Sequence, residues 1–195
     1  MLINLLSYSI LSDFEVQKQH KQIPKHLHDF FEIYLFLSGN ASYIIEEKSY
    51  EMKPFRLLFI KPYTYHFPLF TGNAEYKRII MHFKAQDDGG LVERLFNKFE
   101  MVELENYPEL MSIFNLFIKS ASVLNRDFTY QMAQTCLIQF LIMAESVIGK
   151  VKVSSSDNPL ITKAIKYINQ NIERRISLGE LSDSLFRQEL TVQAV

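Results

Sequence analysis

The chain has 195 residues, a formal net charge of −1, and 48% hydrophobic against 22% charged residues. That balance supplies a packed core and excludes a disordered chain, while near-neutrality excludes a general binder of polyanions. The single cysteine, Cys136, excludes an internal disulfide framework and a multi-cysteine zinc site.

The opening "MLINLLSYSILSDF" is apolar but lacks the basic region and small-residue cleavage site of a secretion signal. No apolar run reaches the roughly 18 residues needed to span a bilayer, so a cytoplasmic protein without a membrane partner is expected. Over the first 85 residues, short apolar runs alternate with turn signals and predict strands at 5–11, 30–37, 41–47, 57–60 and 76–83. Closely spaced short strands suggest a sandwich or small barrel. After "QDDGG" (86–90) the period becomes helical. Helices are predicted at 91–99, at 107–125 with Pro108 in the first turn, and at 127–149 with Asp127 as the N-cap. The last carries apolar residues on more than one side, so it is either buried within the chain or packed on a second copy. The serine-rich segment 150–159 reads as a linker. Beyond it, Ile161, Ala164, Ile165, Ile168 and Ile172 mark one helical face, and Ser177 with Glu180 forms a capping box that opens another helix.

The chemistry concentrates in "HLHDFFEIYLFLSG", residues 26–39. In a strand, alternate residues share a face. His26, His28, Phe30, Glu32, Tyr34 and Phe36 then form a mixed polar and aromatic face, as a pocket lining does. Leu27, Phe31, Ile33, Leu35 and Leu37 form an apolar core face. On a straight strand Glu32 lies roughly 13 Å beyond His28, so the two meet at one point only where the chain bends. With His66 of "KPYTYHF" the set His26, His28, Glu32 and His66 has the donors of a divalent-metal shell; the alternative is a set of hydrogen-bonding pocket groups. Arg78 and His82 share a face of the strand at 76–83, but sequence does not fix whether it points inward.

The spacing of His26, His28, Glu32 and Gly39 resembles the first cupin motif. "PFRLLFIKPYTYHF" (54–67) resembles the second, with Pro62 and His66 in the places of its proline and histidine. It departs there: the first glycine and the closing asparagine are missing, and the proline-to-histidine spacing is one residue short. A closer resemblance is to the sensor domain of AraC-type transcription regulators, in which a cupin-like barrel precedes dimerising helices, a linker and a helix-turn-helix unit. "NPLITKAIKYINQNIERRISLGELSDSLF" (158–186) resembles the opening of that unit.

The resemblance implies an α+β chain. Residues 1–88 would form a cupin-like double-stranded β-barrel, 89–150 a helical dimerisation segment, and 151–195 a linker and partial helix-turn-helix domain. It implies a homodimeric, non-enzymatic regulator that binds a small, sugar-like effector beside His26, His28, Glu32, Tyr34 and His66, without a resident cofactor. The dimer seam is expected at Ala133, Leu137, Phe140, Leu141 and Ala144, residues that could equally cover the barrel. "RQELTVQAV" after Phe186 departs from the recognition helix that the resemblance calls for, so DNA contact is expected only through an intact unit, and no DNA-contact residue is named. The rival is a metal-dependent cupin enzyme, a dioxygenase or isomerase, holding a divalent metal on His26, His28, Glu32 and His66.

Overall fold

The computed structural model describes residues 2–12, 23–71, 75–86, 90–148, 160, 163–164, 167–168, 171 and 174–186. Strands β1 (Leu2–Ser12), β2 (Phe31–Ser38), β3 (Ala41–Ile45), β4 (Lys48–Glu51), β5 (Arg56–Ile60), β6 (His66–Phe70) and β7 (Lys77–Gln86) come first. Helix α1 (Leu91–Lys98), the three-residue strand β8 (Met101–Glu103), α2 (Pro108–Ala121), α3 (Arg126–Val147) and α4 (Leu178–Phe186) follow. The fold is α+β. A five-stranded sheet of order β1-β7-β2-β5-β8 and a three-stranded sheet of order β4-β3-β6 are each antiparallel throughout. The expected barrel is not closed among the described residues: one two-residue bridge, His26 to His66, stitches the lead-in to β2 onto the small sheet.

Strand β2 sits between β7 and β5 and is buried on both faces. Its odd residues Ile33 and Leu35 join one core with Phe59, Phe83, Phe96, Phe114 and Phe140, under the helices. Its even residues Tyr34 and Phe36 join a second core with Tyr43, Tyr50, Met52, Leu58 and Tyr76, between the sheets. The alternation read from sequence is therefore the partition between the two cores.

Three strands were not expected. β4 lies in what reads as a turn, and the hairpin into it passes through Glu46 at φ 52. β6 contains Pro68, which an edge strand tolerates because one side of its backbone needs no partner. β8 pairs with β5 and adds to the large sheet a strand from beyond residue 88, where the barrel was expected to end. The N-cap of α3 is Asn125 rather than Asp127; its side chain accepts from the Phe128 N–H at 3.0 Å.

The seam expected on α3 is used inside the chain. Ala133, Leu137, Phe140, Leu141 and Ala144 are all 0–1% exposed, packed into the core under the large sheet. The same helix also holds the edge of that sheet. The Gln134 amide bonds the Leu5 N–H and the Ile3 carbonyl, both at 2.8 Å, beside a bulge in β1, and the Tyr130 hydroxyl donates to the Leu5 carbonyl. Among the described residues no helix is long and apolar enough to cross a membrane.

Gly39 turns the chain from β2 into β3 at φ +122, a region that L side chains rarely adopt. A Cβ there would also lie 3.1 Å from the Tyr76 backbone. Gly39→Ala is expected to cost about 1–3 kcal/mol, measured as a shift in denaturation midpoint; an unchanged midpoint would contradict the strain argument.

The capping box on α4 is formed: Glu180 accepts from the Ser177 N–H at 2.9 Å, and the Ser177 hydroxyl accepts from the Glu180 N–H at 3.2 Å. Ile168 is 40% exposed. The expected linker at 150–159, Ile161, Ile165, Ile172 and the segment 187–195 lie outside the described residues.

Candidate functional site

Glu32 is the centre of the site. As an even residue of β2 it points between the sheets, and it is 2% exposed. The antiparallel register sets His82 of β7 directly across from it and sets Arg78 across from Phe36. Residues paired across a ladder share a face, so His82 and Arg78 both face inward. The chain before β2 bends, which returns His28 to Glu32 despite the distance a straight strand would impose. His66, the first residue of β6, arrives from the small sheet.

The result is a ring of imidazoles around one carboxylate oxygen. From Glu32 Oε2 the distances are 2.9 Å to His82 Nε2, 3.1 Å to His28 Nε2 and 3.6 Å to His66 Nε2. The Tyr43 hydroxyl donates to the other oxygen, Oε1, at 3.4 Å. Each ring is held from behind through Nδ1: His28 by the Phe30 carbonyl at 2.9 Å, His66 by the Thr64 carbonyl at 2.8 Å, and His82 by the Ser7 hydroxyl at 2.9 Å. Phe30 stacks on His28 with ring centroids 3.9 Å apart. One ligand atom each from His28, Glu32 and His82 lies within 4.8 Å of the others, a group able to hold a metal ion.

Of the five residues expected to contact ligand, the structure gathers His28, Glu32 and His66. Tyr34 lies deeper: its hydroxyl bonds that of Tyr76, and its ring is 4.5 Å from Tyr43. His26 flanks the cluster, with its ring 4.3 Å from that of His66 and its Nδ1 on the Pro24 carbonyl. Sequence reasoning did not select His82 or Tyr43. The parity of His82 with Arg78 was readable, but its inward direction depends on pairing with β2. The tyrosine-rich space between the sheets is filled by Tyr34, Tyr43, Tyr50 and Tyr76, each at most 2% exposed. The cluster opens outward instead, through His82 at 27% and His28 at 10% side-chain exposure.

Burial alone would raise the Glu32 pKa, but the neighbouring imidazoles of His28, His66 and His82 outweigh it and hold the carboxyl well below the usual range. Burial alone would lower His66; the Glu32 carboxylate outweighs that and raises it. Burial and the Glu32 charge both push the Tyr43 hydroxyl well up, so it stays a donor. In metal-free protein the Glu32 contribution to stability is full above its ordinary value of 4.5, declines below it, and is gone once the pH has fallen through the depressed native value. The His66 contribution runs the other way, present below 6.5 and lost as the pH rises through its raised native value. Melting temperatures over about pH 3 to 9 should fall at both ends, and Glu32→Gln should flatten both limbs. Identical profiles for the two proteins would overturn this assignment.

Residues 12–139 match the family model described as the AraC-like ligand binding domain. The chain belongs to that family. No curated protein matches it in sequence. Among solved structures it is similar to the AraC-like transcriptional activator CuxR, at 16% identity over 86% of this chain and 68% of that one, with a TM-score of 0.44. It is also similar to a variant of apo ToxT from Vibrio cholerae, at 12% identity over 100% of this chain and 74% of that one, again with a TM-score of 0.44. A third likeness is to a cupin 2 conserved barrel domain protein from Rhodopseudomonas palustris, at 14% identity over 41% of this chain and 62% of that one, with a TM-score of 0.28.

Proposed function

We propose that this chain is the sensor part of a ligand-responsive transcription regulator of the AraC type and that it takes a small, sugar-like effector. The effector meets His28, Glu32 and His66 at the open end of the space between the sheets, with His26 at the rim and Tyr34 below. The observation that carries this reading is the match to the family's ligand-binding domain over residues 12–139. A buried, ionised Glu32 supports it, because a carboxylate is a strong acceptor for sugar hydroxyls. Aromatic Phe30 at the mouth adds a face on which an apolar ring edge can lie.

The mechanism is population shift. An effector that binds one arrangement of sheets and helices more tightly favours it, by as much as its affinities for the two arrangements differ. The helices then carry that bias to an attached helix-turn-helix unit, and DNA is a partner only through such a unit. The protein works as a homodimer in the cytoplasm. Because the inner stripe of α3 is occupied, the second copy meets the outward residues of α2 and α3, where Leu116, Phe128 and Ile142 are exposed.

A melting assay over a panel of pentoses and hexoses tests the effector. At a hundredfold excess over Kd the bound form gains about 2.7 kcal/mol, a rise of roughly 5–10 °C for a chain of this size. His28→Ala should abolish the shift. A panel in which no sugar moves the melting temperature removes the sugar reading.

A further inference from the structure

We propose that the chain binds one divalent first-row transition metal on His28, Glu32 and His82, with His66 beside them and His26 outside the set. This differs from the set His26, His28, Glu32 and His66 that the sequence motifs suggest, because His82 comes from β7, where no motif lies.

Tautomers supply the first argument. A carbonyl oxygen only accepts, so the bonds to Phe30 and Thr64 require a proton on Nδ1 of both His28 and His66. In the neutral rings, each Nε2 is then a bare lone pair. Both lone pairs are directed toward Glu32 Oε2, itself rich in lone pairs, at 3.1 and 3.6 Å. These contacts repel unless each ring takes up a second proton or a cation lies between the rings and the carboxylate, and one metal ion meets that need for both rings at once. His66 Nε2 is fully buried and has no hydrogen-bond partner, so it points into the cluster with nothing to accept from.

Distance supplies the second argument. Donor atoms about 2.0–2.1 Å from a tetrahedral metal lie about 3.3 Å from one another, and cis donors of an octahedral one about 3.0 Å. For the proposed ligands the separations from Glu32 Oε2 are 2.9 Å to His82 and 3.1 Å to His28, close to the octahedral value, while His66 at 3.6 Å lies beyond both. Two imidazoles and one carboxylate on one side of an ion form a facial triad, which suits divalent iron, cobalt, nickel or zinc and leaves positions for other ligands.

The donors are also supported from behind. Metal-bound histidines donate their remote N–H to a carbonyl, carboxylate or similar acceptor, which fixes the ring and raises its basicity. His28 and His66 have backbone carbonyls in that role, and His82 has the Ser7 hydroxyl. Ser7 is thus a positioning residue, and it ties the outermost strand β1 to the site. The inference rests on the geometry of the cluster and holds whether or not a sugar is the effector.

The test is a titration of the full chain with Co(II) after dialysis against a chelator. One equivalent should bind, visible absorption bands should report the coordination, and the melting temperature should rise. His82→Ala should weaken Co(II) binding at least 100-fold, Ser7→Ala about tenfold with shifted bands, and His26→Ala less than threefold. Circular dichroism checks that each variant folds; if His82→Ala does not, His82→Gln carries its expectation, and Ser7→Ala keeps its own smaller one. Failure to take up stoichiometric Co(II) would overturn the site. So would binding that survives His82→Ala and is lost in His26→Ala, which would return the ligands to the motif set. Neither result touches the sugar panel, so the two readings fail separately.

Discussion

Glu32→Ala should destabilise the metal-free protein by about 3–5 kcal/mol, the usual cost of removing one partner from a buried charged pair. The loss has three sources. The carboxylate accepts from His82 and Tyr43 and lies 3.1 Å from His28 Nε2, and bonds to an ionised group contribute more than neutral ones. The Tyr43 hydroxyl is buried and would keep a proton with no acceptor. The missing side chain also leaves a void between the sheets. Glu32→Gln keeps the volume and one acceptor oxygen, so its cost should be clearly smaller. Chemical denaturation of the three proteins at neutral pH measures both. A cost below about 1 kcal/mol for Glu32→Ala would show that the ring of histidines contributes little to the fold.

Phe140→Ala is the second large effect, expected at about 3–5 kcal/mol. Phe140 stacks near Phe59 at 6.1 Å and meets Phe114 at 5.1 Å, so it joins the sheet to α2 and α3. Because that contact lies within one chain, the loss should not depend on protein concentration. If Phe140 instead lay in a seam between copies, its removal would lower the melting temperature most in concentrated samples, where a dimer is most stabilised. Melting at two concentrations a hundredfold apart separates the cases. Phe128→Ala, on the outward side of the same helix, should cost the single chain little stability, since Phe128 is 62% exposed there, and its effect should instead grow with protein concentration, because Phe128 lies where the second copy is proposed to dock.

Much of the fold was legible because the relevant signals are local. The two faces of β2 follow from a period of two, and the capping box from Ser177 and Glu180 three residues apart. Pro108 marks the first turn of α2. Strands β4, β6 and β8 were hidden because each is three to five residues long, and turn-forming residues or a proline mask them. Asp127 and Asn125 are both good caps, and only backbone geometry chooses between them. The stripe on α3 is visible in sequence, but its period does not say whether the partner is the same chain or another. The site divides in the same way. His28, Glu32 and His66 carry motif spacing. His82 owes its place to the register of β7 against β2, and Tyr43 to a sheet packed face to face, relations between residues distant in sequence.

The grip of α3 on β1 bears on how the molecule behaves in a crowded solution. An outermost strand offers a row of unpaired donors and acceptors, the usual starting point for strand-to-strand polymerisation. Here the Leu5 N–H and the carbonyls of Ile3 and Leu5 are already taken by Gln134 and Tyr130. A side-chain amide stands in for the next strand. The start of β1 is thereby closed to recruitment by a neighbouring molecule, and a chain carrying Gln134→Ala should form fibrils or precipitate sooner on gentle warming while keeping the same sheet order.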